Sequence, residues 1–209
     1  MKIAIIGSGN VGGTLAQRLI KANHTVLIGA QFPLSDTNIS LATRIGEDRF
    51  TSVENAVKQS EIVFLATPFQ ANQEVLQSLQ FEGKTLVDCT NPVGAGISHG
   101  LKSEISGSEK VQEWAPDAKV VKAFTIYGFE NFIDNSFPNY NVKPVMMIAG
   151  NDAKAKNQVQ QLITDLGFET LDTGLLDQAL HLEHLTLLWV KMVRKNGHHP
   201  NFVWAYLEK

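Results

Sequence analysis

The sequence predicts an α/β fold, namely a Rossmann-type, doubly wound and mainly parallel sheet with a small helical C-terminal lobe. A β-branched apolar run, Lys2–Ile6, leads without interruption into the glycine-rich turn GSGNVG at residues 7–12. Apolar residues at helical spacing follow over residues 11–22, and the rest of the chain alternates strand-like and helix-like segments. That alternation is typical of a parallel sheet with helices on both faces.

The glycine turn is the most informative local pattern. Gly7 permits a tight turn, Gly9 lets the backbone approach a pyrophosphate, and Gly12 lets the helix pack closely on the strand. The N–H groups that open the helix then face the phosphate oxygens, whose negative charge the helix dipole favours. Residues 1–29 therefore predict a dinucleotide-binding βαβ unit.

The further elements follow from the period of the apolar residues and the turn residues between them. Apolar runs predict strands at 25–29, 49–52, 61–66, 85–89, 119–124, 145–150 and 168–172. Helical spacing predicts helices at 39–45, 53–59, 71–79, 153–166 and 175–195. We assign residues 1–172 to a dinucleotide-binding Rossmann domain and residues 173–209 to a helical segment on the dimer and substrate side.

The composition fits a cytoplasmic enzyme with one main domain. A chain of 209 residues is long enough to bury a full α/β core, and a net charge of -3 gives no sign of a nucleic-acid partner. A single cysteine, Cys89, fits a reducing compartment. The N-terminus has no signal-peptide pattern, and the apolar stretch 185–190 is too short to span a bilayer. We expect no membrane partner and no metal site.

Two irregular stretches, 91–107 and 134–144, interrupt the alternation. Ligands of open α/β sheets bind beyond the carboxyl ends of the strands, and stretch 91–107 directly follows a predicted strand. His99 lies in this stretch and is a candidate catalytic residue, with a solvated loop histidine as the alternative. Hydride transfer itself requires no acid or base, so no other catalytic side chain is assigned.

The end of the second strand bears on the choice of cofactor. Enzymes that use the unphosphorylated dinucleotide usually carry Asp or Glu there, whereas an arginine accommodates a 2′-phosphate. This chain has Gly29-Ala30-Gln31 and no acid before Asp36, but it has no arginine either. The missing carboxylate favours NADP, and NAD stays possible.

Six segments occur in an order that resembles a known family. They are GSGNVG at 7–12, VFLATP at 63–68, VDCTNP at 87–92, VVKAFT at 120–125, GND at 150–152 and LDTGL at 171–175. Together they resemble the NADP-dependent oxidoreductases that reduce the 8-hydroxy-5-deazaflavin coenzyme. They are also similar to the cytosolic domain of the six-transmembrane ferric reductases. The resemblance covers essentially the whole chain.

The resemblance implies a set of cofactor contacts. The residues that would bind the nicotinamide dinucleotide are Gly7, Ser8, Gly9, Asn10, Val11, Gly12, Ala30, Gln31, Thr67, Pro68, Phe69, Asn91, Pro92, Ala123, Phe124 and Thr125. In the family, residues 91–92 and 123–125 would flank the nicotinamide. Ala30 and Gln31 stand where members that hold the 2′-phosphate place serine and arginine.

The predicted function is therefore an NAD(P)H-dependent oxidoreductase that transfers hydride between a nicotinamide cofactor and a flavin or deazaflavin. A reductase of a small carbonyl, imine or quinone on the same scaffold is one alternative, and a non-catalytic dinucleotide-sensing module is another. The resemblance also implies a homodimer. The segment 175–195 is apolar nearly all round, so one side of it is expected to pack at a subunit interface or an acceptor pocket.

Overall fold

The computed structural model describes residues 1–31 and 35–209. The strands are β1 (Lys2–Ile6), β2 (Thr25–Gly29), β3 (Phe50–Thr51), β4 (Ile62–Leu65), β5 (Thr85–Asp88), β6 (Val93–Gly94), β7 (Ser98–His99), β8 (Lys119–Lys122), β9 (Val145–Gly150) and β10 (Glu169–Asp172). The α-helices in these ranges are α1 (Asn10–Lys21), α2 (Asp36–Ile45), α3 (Val53–Gln59), α4 (Asn72–Gln77), α5 (Gly107–Trp114), α6 (Glu130–Ile133), α7 (Ala153–Asp165) and α8 (Ala179–Val190).

Eight of the strands form one sheet in the order β10-β9-β8-β5-β4-β1-β2-β3. All neighbouring pairs are parallel except β8 and β9, which run antiparallel. The predicted Rossmann-type, mainly parallel sheet is confirmed. The two remaining strands, β6 and β7, pair as a separate antiparallel hairpin.

The core lies on both faces of this sheet, as the continuous apolar strands require. In β1, Ile3 and Ile5 pack into one cluster together with Leu15 of α1. Ala4 and Ile6, which point the other way, pack into the second cluster. Alternate residues of one strand therefore anchor helices on opposite faces.

The structure corrects several predicted bounds. Helix α2 begins at Asp36 rather than residue 39, and residues 32–34 of the polar stretch before it lie outside the described ranges. The predicted helix 175–195 is divided into a 3-10 turn at Leu176–Gln178, α8, and a π-helical turn at Lys191–Lys195. Strand β8 ends at Lys122, because Phe124 takes a left-handed backbone conformation.

Three features were absent from the sequence prediction, namely the β6–β7 hairpin and helices α5 and α6. The stretch 91–107 is not wholly irregular, since it contains the β6–β7 hairpin. Helix α5 follows it directly and is opened by a capping box between Ser106 and Glu109. The short helix α6 precedes the stretch 134–144, which contains no helix or strand.

The register aligns the points at which the chain leaves the sheet. Residue pairs Ile6↔Leu65, Leu65↔Asp88 and Asp88↔Lys122 stand side by side on β1, β4, β5 and β8. The glycine turn and the segments 66–69, 89–92 and 123–125 therefore begin at the same edge of the sheet. That is the edge where ligands of such sheets bind. In the described part of the chain, no helix combines the length and the apolar character needed to cross a membrane.

Candidate active site

The glycine turn has the geometry that the sequence predicts. Gly7 adopts φ +106°, a conformation that side chains rarely take, and a Cβ there would lie 2.7 Å from the Ala66 carbonyl oxygen. At Gly12, a Cβ would lie 2.0 Å from the Gly7 carbonyl oxygen, so only glycine lets α1 start this close to the strand. Both glycines are required by the backbone itself.

Gly9 is different, because a Cβ at this position would meet nothing within 4 Å. Its φ of -66° and ψ of -166° are open to other residues. The fold therefore does not need glycine at position 9. The open space above the turn fits a bound group that the backbone must approach, and the first N–H groups of α1 lack partners within the helix there.

Ser8 and Asn10 flank Gly9. The Ser8 hydroxyl donates a hydrogen bond to Asn38 Oδ1, which ties the start of α2 to the turn. Asn10 is the first residue of α1 and is exposed. Val11 is half-buried and packs against the core.

At the end of β2, Ala30 is half-buried and donates its N–H to the Thr51 carbonyl. Gln31 is exposed. The structure therefore places both residues at the ligand edge of the sheet, as their position after a parallel strand predicts.

The segment after β4 is held by side-chain hydrogen bonds. The Thr67 hydroxyl donates to Asn72 Oδ1 at 2.7 Å, and Asn72 Nδ2 donates to the Thr90 hydroxyl at 2.9 Å. Pro68 is exposed, and the Phe69 ring lies 5.7 Å from the Trp114 ring. The ends of β4 and β5 are thereby joined by one chain of hydrogen bonds.

Two buried oxygens stand out at the ends of β5 and β8. Asn91 Oδ1 and Thr125 Oγ1 are both shielded from solvent and have no hydrogen-bond partner among the described residues. Each follows its strand by three residues, after the register pair Asp88↔Lys122. Buried polar atoms are rarely left unpaired in proteins, and these two stand after strand ends at the edge where ligands of such sheets bind.

Three other residues that are predicted to flank the nicotinamide are buried and do not line an open cleft. Ala123 is 0% exposed and Phe124 is 1% exposed, and both belong to the hydrophobic core. Phe124 has φ +55°, which is a strained conformation for an aromatic residue. Pro92 is buried as well. Such strain is concentrated at functional sites, and here it turns the chain sharply where β8 ends.

A buried network of charged and polar residues lies at the ends of β5 and β8. It consists of Asp88, Thr90, His99, Lys122 and Glu183. The Lys122 ammonium donates to Glu183 Oε1 at 2.9 Å, to Asp88 Oδ2 at 3.2 Å and to the Thr90 carbonyl at 2.5 Å. Burial alone lowers the pKa of Lys122, but the charges of Asp88 and Glu183 outweigh it, so the pKa is raised and the ammonium stays charged.

His99 is part of this network. Its Nε2 lies 2.8 Å from Glu183 Oε2, and its Nδ1 accepts a hydrogen bond from the Ser103 N–H at 3.1 Å. Because Nδ1 is an acceptor, Nε2 carries the proton and donates the hydrogen bond to Glu183. The ring is buried rather than solvated, and both of its nitrogens have protein partners.

Sequence reasoning missed Glu183, which is the centre of the network. Its carboxylate also accepts two hydrogen bonds from the Gly107 N–H, at 2.9 and 3.0 Å, so it fixes the start of α5. The available signal was a carboxylate inside an almost wholly apolar helix, together with Lys122 inside an apolar strand. Buried charges of opposite sign must pair, which predicts contact between them.

Cys89 is a core thiol. It is 6% exposed, and burial raises its pKa, with a further rise from the neighbouring Asp88 charge. Since the thiolate is the reactive form, this thiol is poorly suited to nucleophilic chemistry.

Comparison with known proteins gives a family match for the first part of the chain. Residues 2–92 match the family model described as NADP oxidoreductase coenzyme F420-dependent. The metalloreductase STEAP3 of Rattus norvegicus is 31% identical over 190 residues, which is 89% of this chain and 36% of that protein. The chain thus spans about a third of the length of this relative.

Two solved structures resemble the whole chain. A protein from Arthrobacter sp. FB24, whose name proposes an F420-dependent NADP-reductase, superposes with a TM-score of 0.80 at 27% identity and full coverage of both chains. The hypothetical protein SMa0349 of Sinorhizobium meliloti superposes with a TM-score of 0.75 at 25% identity, covering 100% of this chain and 96% of the other.

Proposed function

From its confirmed resemblance to the NADP-dependent oxidoreductases of the coenzyme F420 family, we propose that this chain is an enzyme that transfers hydride between a nicotinamide dinucleotide and a flavin-like acceptor. The observation that carries the proposal is the pair of orphaned oxygens, Asn91 Oδ1 and Thr125 Oγ1, at the aligned ends of β5 and β8. A carboxamide offers an N–H donor to the first and a carbonyl acceptor to the second.

The glycine turn would bind another part of the same ligand, its pyrophosphate. The open space at Gly9 leaves room for a pyrophosphate, and the N–H groups at the start of α1 would hold its oxygens. The residues after β4 join the two ends along the same edge of the sheet. The predicted contacts thus form one continuous path.

The chemistry needs little more from the protein than orientation and exclusion of water. A bound nicotinamide supplies the hydride. Asn91 and Thr125 would fix the plane of its ring, while the core residues Ala123 and Phe124 give that position a rigid floor.

A small carbonyl or imine needs a proton donor as its oxygen or nitrogen is reduced, and the described His, Tyr and Cys side chains near these strand ends are already bonded or buried, which favours a flavin-like acceptor. Among the described residues near these strand ends, His99 is held by Glu183 and Ser103. The Tyr127 hydroxyl donates to the Val145 carbonyl at 2.5 Å, and burial raises its pKa. The Cys89 thiol is buried.

A screen of acceptors tests the proposed reaction. Flavins, deazaflavin, quinones and small carbonyl compounds would each be offered with NADPH and with NADH, and nicotinamide oxidation would be followed by absorbance. Turnover with a flavin or deazaflavin supports the proposal. Turnover with carbonyl compounds alone would favour the small-substrate reductase, and binding without any turnover would favour a sensing module.

We also propose that the chain is a homodimer that uses residues 173–209. Four large apolar side chains of this segment are exposed in the single chain, namely Leu175 at 60%, Leu188 at 48%, Tyr206 at 42% and Leu207 at 78%. Exposed apolar side chains on this segment favour contact with a second copy.

The orphaned oxygens allow a test that separates function from stability. Asn91→Leu and Thr125→Val each remove a buried unpaired oxygen, so we expect the melting temperature to stay the same or rise. We expect kcat/KM to fall at least about tenfold, which corresponds to about 1.4 kcal/mol for one lost hydrogen bond. Steady-state kinetics and thermal melts would be measured together.

Thr170→Val is the matched control for these two variants. Thr170 Oγ1 is also buried without a partner among the described residues, but it lies on β10 at the far edge of the sheet. We expect this variant to keep full turnover. Equal kinetic effects in all three variants would argue against a nicotinamide at residues 91 and 125.

The cofactor preference is expected to respond to charge at the end of β2. Gln31 is exposed there, and Gln31→Arg adds a guanidinium that can bind a 2′-phosphate in a bidentate manner. We expect the ratio of NADPH affinity to NADH affinity to rise. Gln80→Arg makes the same change on an exposed residue before β5, on the side of the sheet where the parallel strands begin. It should leave the ratio unaltered. A constant ratio in both variants would show that the ribose does not reach Gln31.

A further inference from the structure

The outer side of α1 forms one wall of a groove of about 510 Å³. The residues that line it are Ser8, Gly9, Asn10, Gly13, Thr14, Gln17, Arg18, Ser40, Leu41, Arg44, Phe129 and Ile133. The groove thus begins at the glycine turn and has α2 as its opposite wall. Among the described residues, its lining includes none of 30–31, 67–69, 91–92 and 123–125.

The described lining of the groove is positively charged. It contains two arginines and no acidic residue. Arg18 is already fully engaged, because it donates to the carbonyls of Phe132, Ile133 and Leu166 and to the Asn135 side chain. Its role is to hold these segments together, and it is not available to a ligand.

Arg44 is in the opposite situation. Its Nε donates to the Ser40 carbonyl at 3.1 Å, which folds the side chain back along α2 towards the glycine turn. Its two terminal nitrogens have no partner in the part of the chain that the structure describes, and the residue is exposed. The guanidinium therefore keeps the donors that a bidentate anion contact uses.

Helix α2 is fixed next to the glycine turn, so Arg44 is not on a free-standing element. The Ser8 hydroxyl donates to Asn38 Oδ1, two residues before Ser40. Leu41 packs on Gly13, where a Cβ would lie 3.3 Å from the leucine side chain. The wall that carries Arg44 is thus held against the residues of the predicted pyrophosphate site.

We propose that Arg44 binds the 2′-phosphate of a phosphorylated nicotinamide dinucleotide and sets the preference for it. This rests on the proposed function, since the dinucleotide must lie on the glycine turn. The adenosine ribose of such a ligand sits at the end of the second strand, and α2, which begins seven residues after β2 ends, is tied to the glycine turn by the Ser8–Asn38 hydrogen bond. The sequence lacks an arginine directly after Gly29, and Arg44 supplies that charge from the next helix.

The test compares the affinities of NADPH and NADH for wild type and for Arg44→Gln by calorimetry. We expect NADPH affinity to fall about tenfold to a hundredfold, as for the loss of a charged hydrogen-bonded contact, while NADH affinity stays the same. Arg44→Lys should recover part of the loss, because it restores the charge without the bidentate geometry. Lys21→Gln is the matched control, since it removes one exposed positive charge at the far end of α1.

The outcomes separate this proposal from the proposed function. If wild type binds both nucleotides and Arg44→Gln leaves NADPH affinity unchanged, Arg44 does not read the phosphate. An equal loss for NADPH and NADH would also overturn the assignment, because it would show that Arg44 only stabilises α2. If wild type binds neither nucleotide, the proposed function falls first and this assignment falls with it.

Discussion

Gly9→Val is expected to abolish dinucleotide binding while leaving the protein folded. The fold makes no demand for glycine at this position, because a Cβ there meets nothing within 4 Å and the backbone conformation suits other residues. The valine side chain would instead fill the space that the pyrophosphate requires. We expect NADPH affinity to fall by about a hundredfold or more, equivalent to roughly 2.8 kcal/mol, in calorimetric titrations.

Two further glycine variants give this experiment its contrast. Gly9→Ala should weaken binding less, because the added group is smaller. Gly12→Ala should instead lower the melting temperature, since its Cβ would lie 2.0 Å from the Gly7 carbonyl oxygen. Normal NADPH affinity in a folded Gly9→Val protein would show that the pyrophosphate does not lie on this turn.

Lys122→Met is expected to cause the largest loss of stability of any single substitution considered for this chain. The side-chain volume changes little, but Asp88 and Glu183 would be left as buried carboxylates without their shared cation. Breaking a buried ion pair in this way typically costs about 3–5 kcal/mol. For a chain of this length, that corresponds to a fall in melting temperature on the order of 10 °C.

Lys110→Met is the matched control for the buried lysine. It breaks an exposed ion pair with Glu113, three residues on along α5, and such pairs contribute at most about 1 kcal/mol. The double variant Lys122→Met/Glu183→Gln should lose less than the sum of the two single losses, because one stranded charge is gone. Strictly additive losses would show that the two side chains do not share one network.

Much of the fold could be predicted from local sequence. Each strand of the main sheet was expected within a few residues of its observed bounds, since apolar runs between turn residues report burial directly. Helix α5 was missed although the signal was present, because Ser106 and Glu109 have the spacing of a capping box. At eight residues, α5 is too short for its apolar residues to show a clear helical period.

The candidate site could be predicted only in part, for a physical reason. The glycine turn is local, so residues 7–12 reveal their geometry in sequence. The buried network depends on contacts between residues far apart in the chain, such as His99 and Glu183, whose pairing is set by the packing of α8. The orphaned oxygens at Asn91 and Thr125 likewise result from strand register and not from any local pattern.

The buried network links residues that the family model matches to residues that lie beyond the match. The family match ends at residue 92, between β5 and its sheet neighbour β8. A fragment cut there would leave Asp88 without its Lys122 partner and β5 with an unpaired, aggregation-prone edge. The segment that the family model matches is therefore smaller than the cooperative folding unit. The second half of the chain is needed for the first half to be stable.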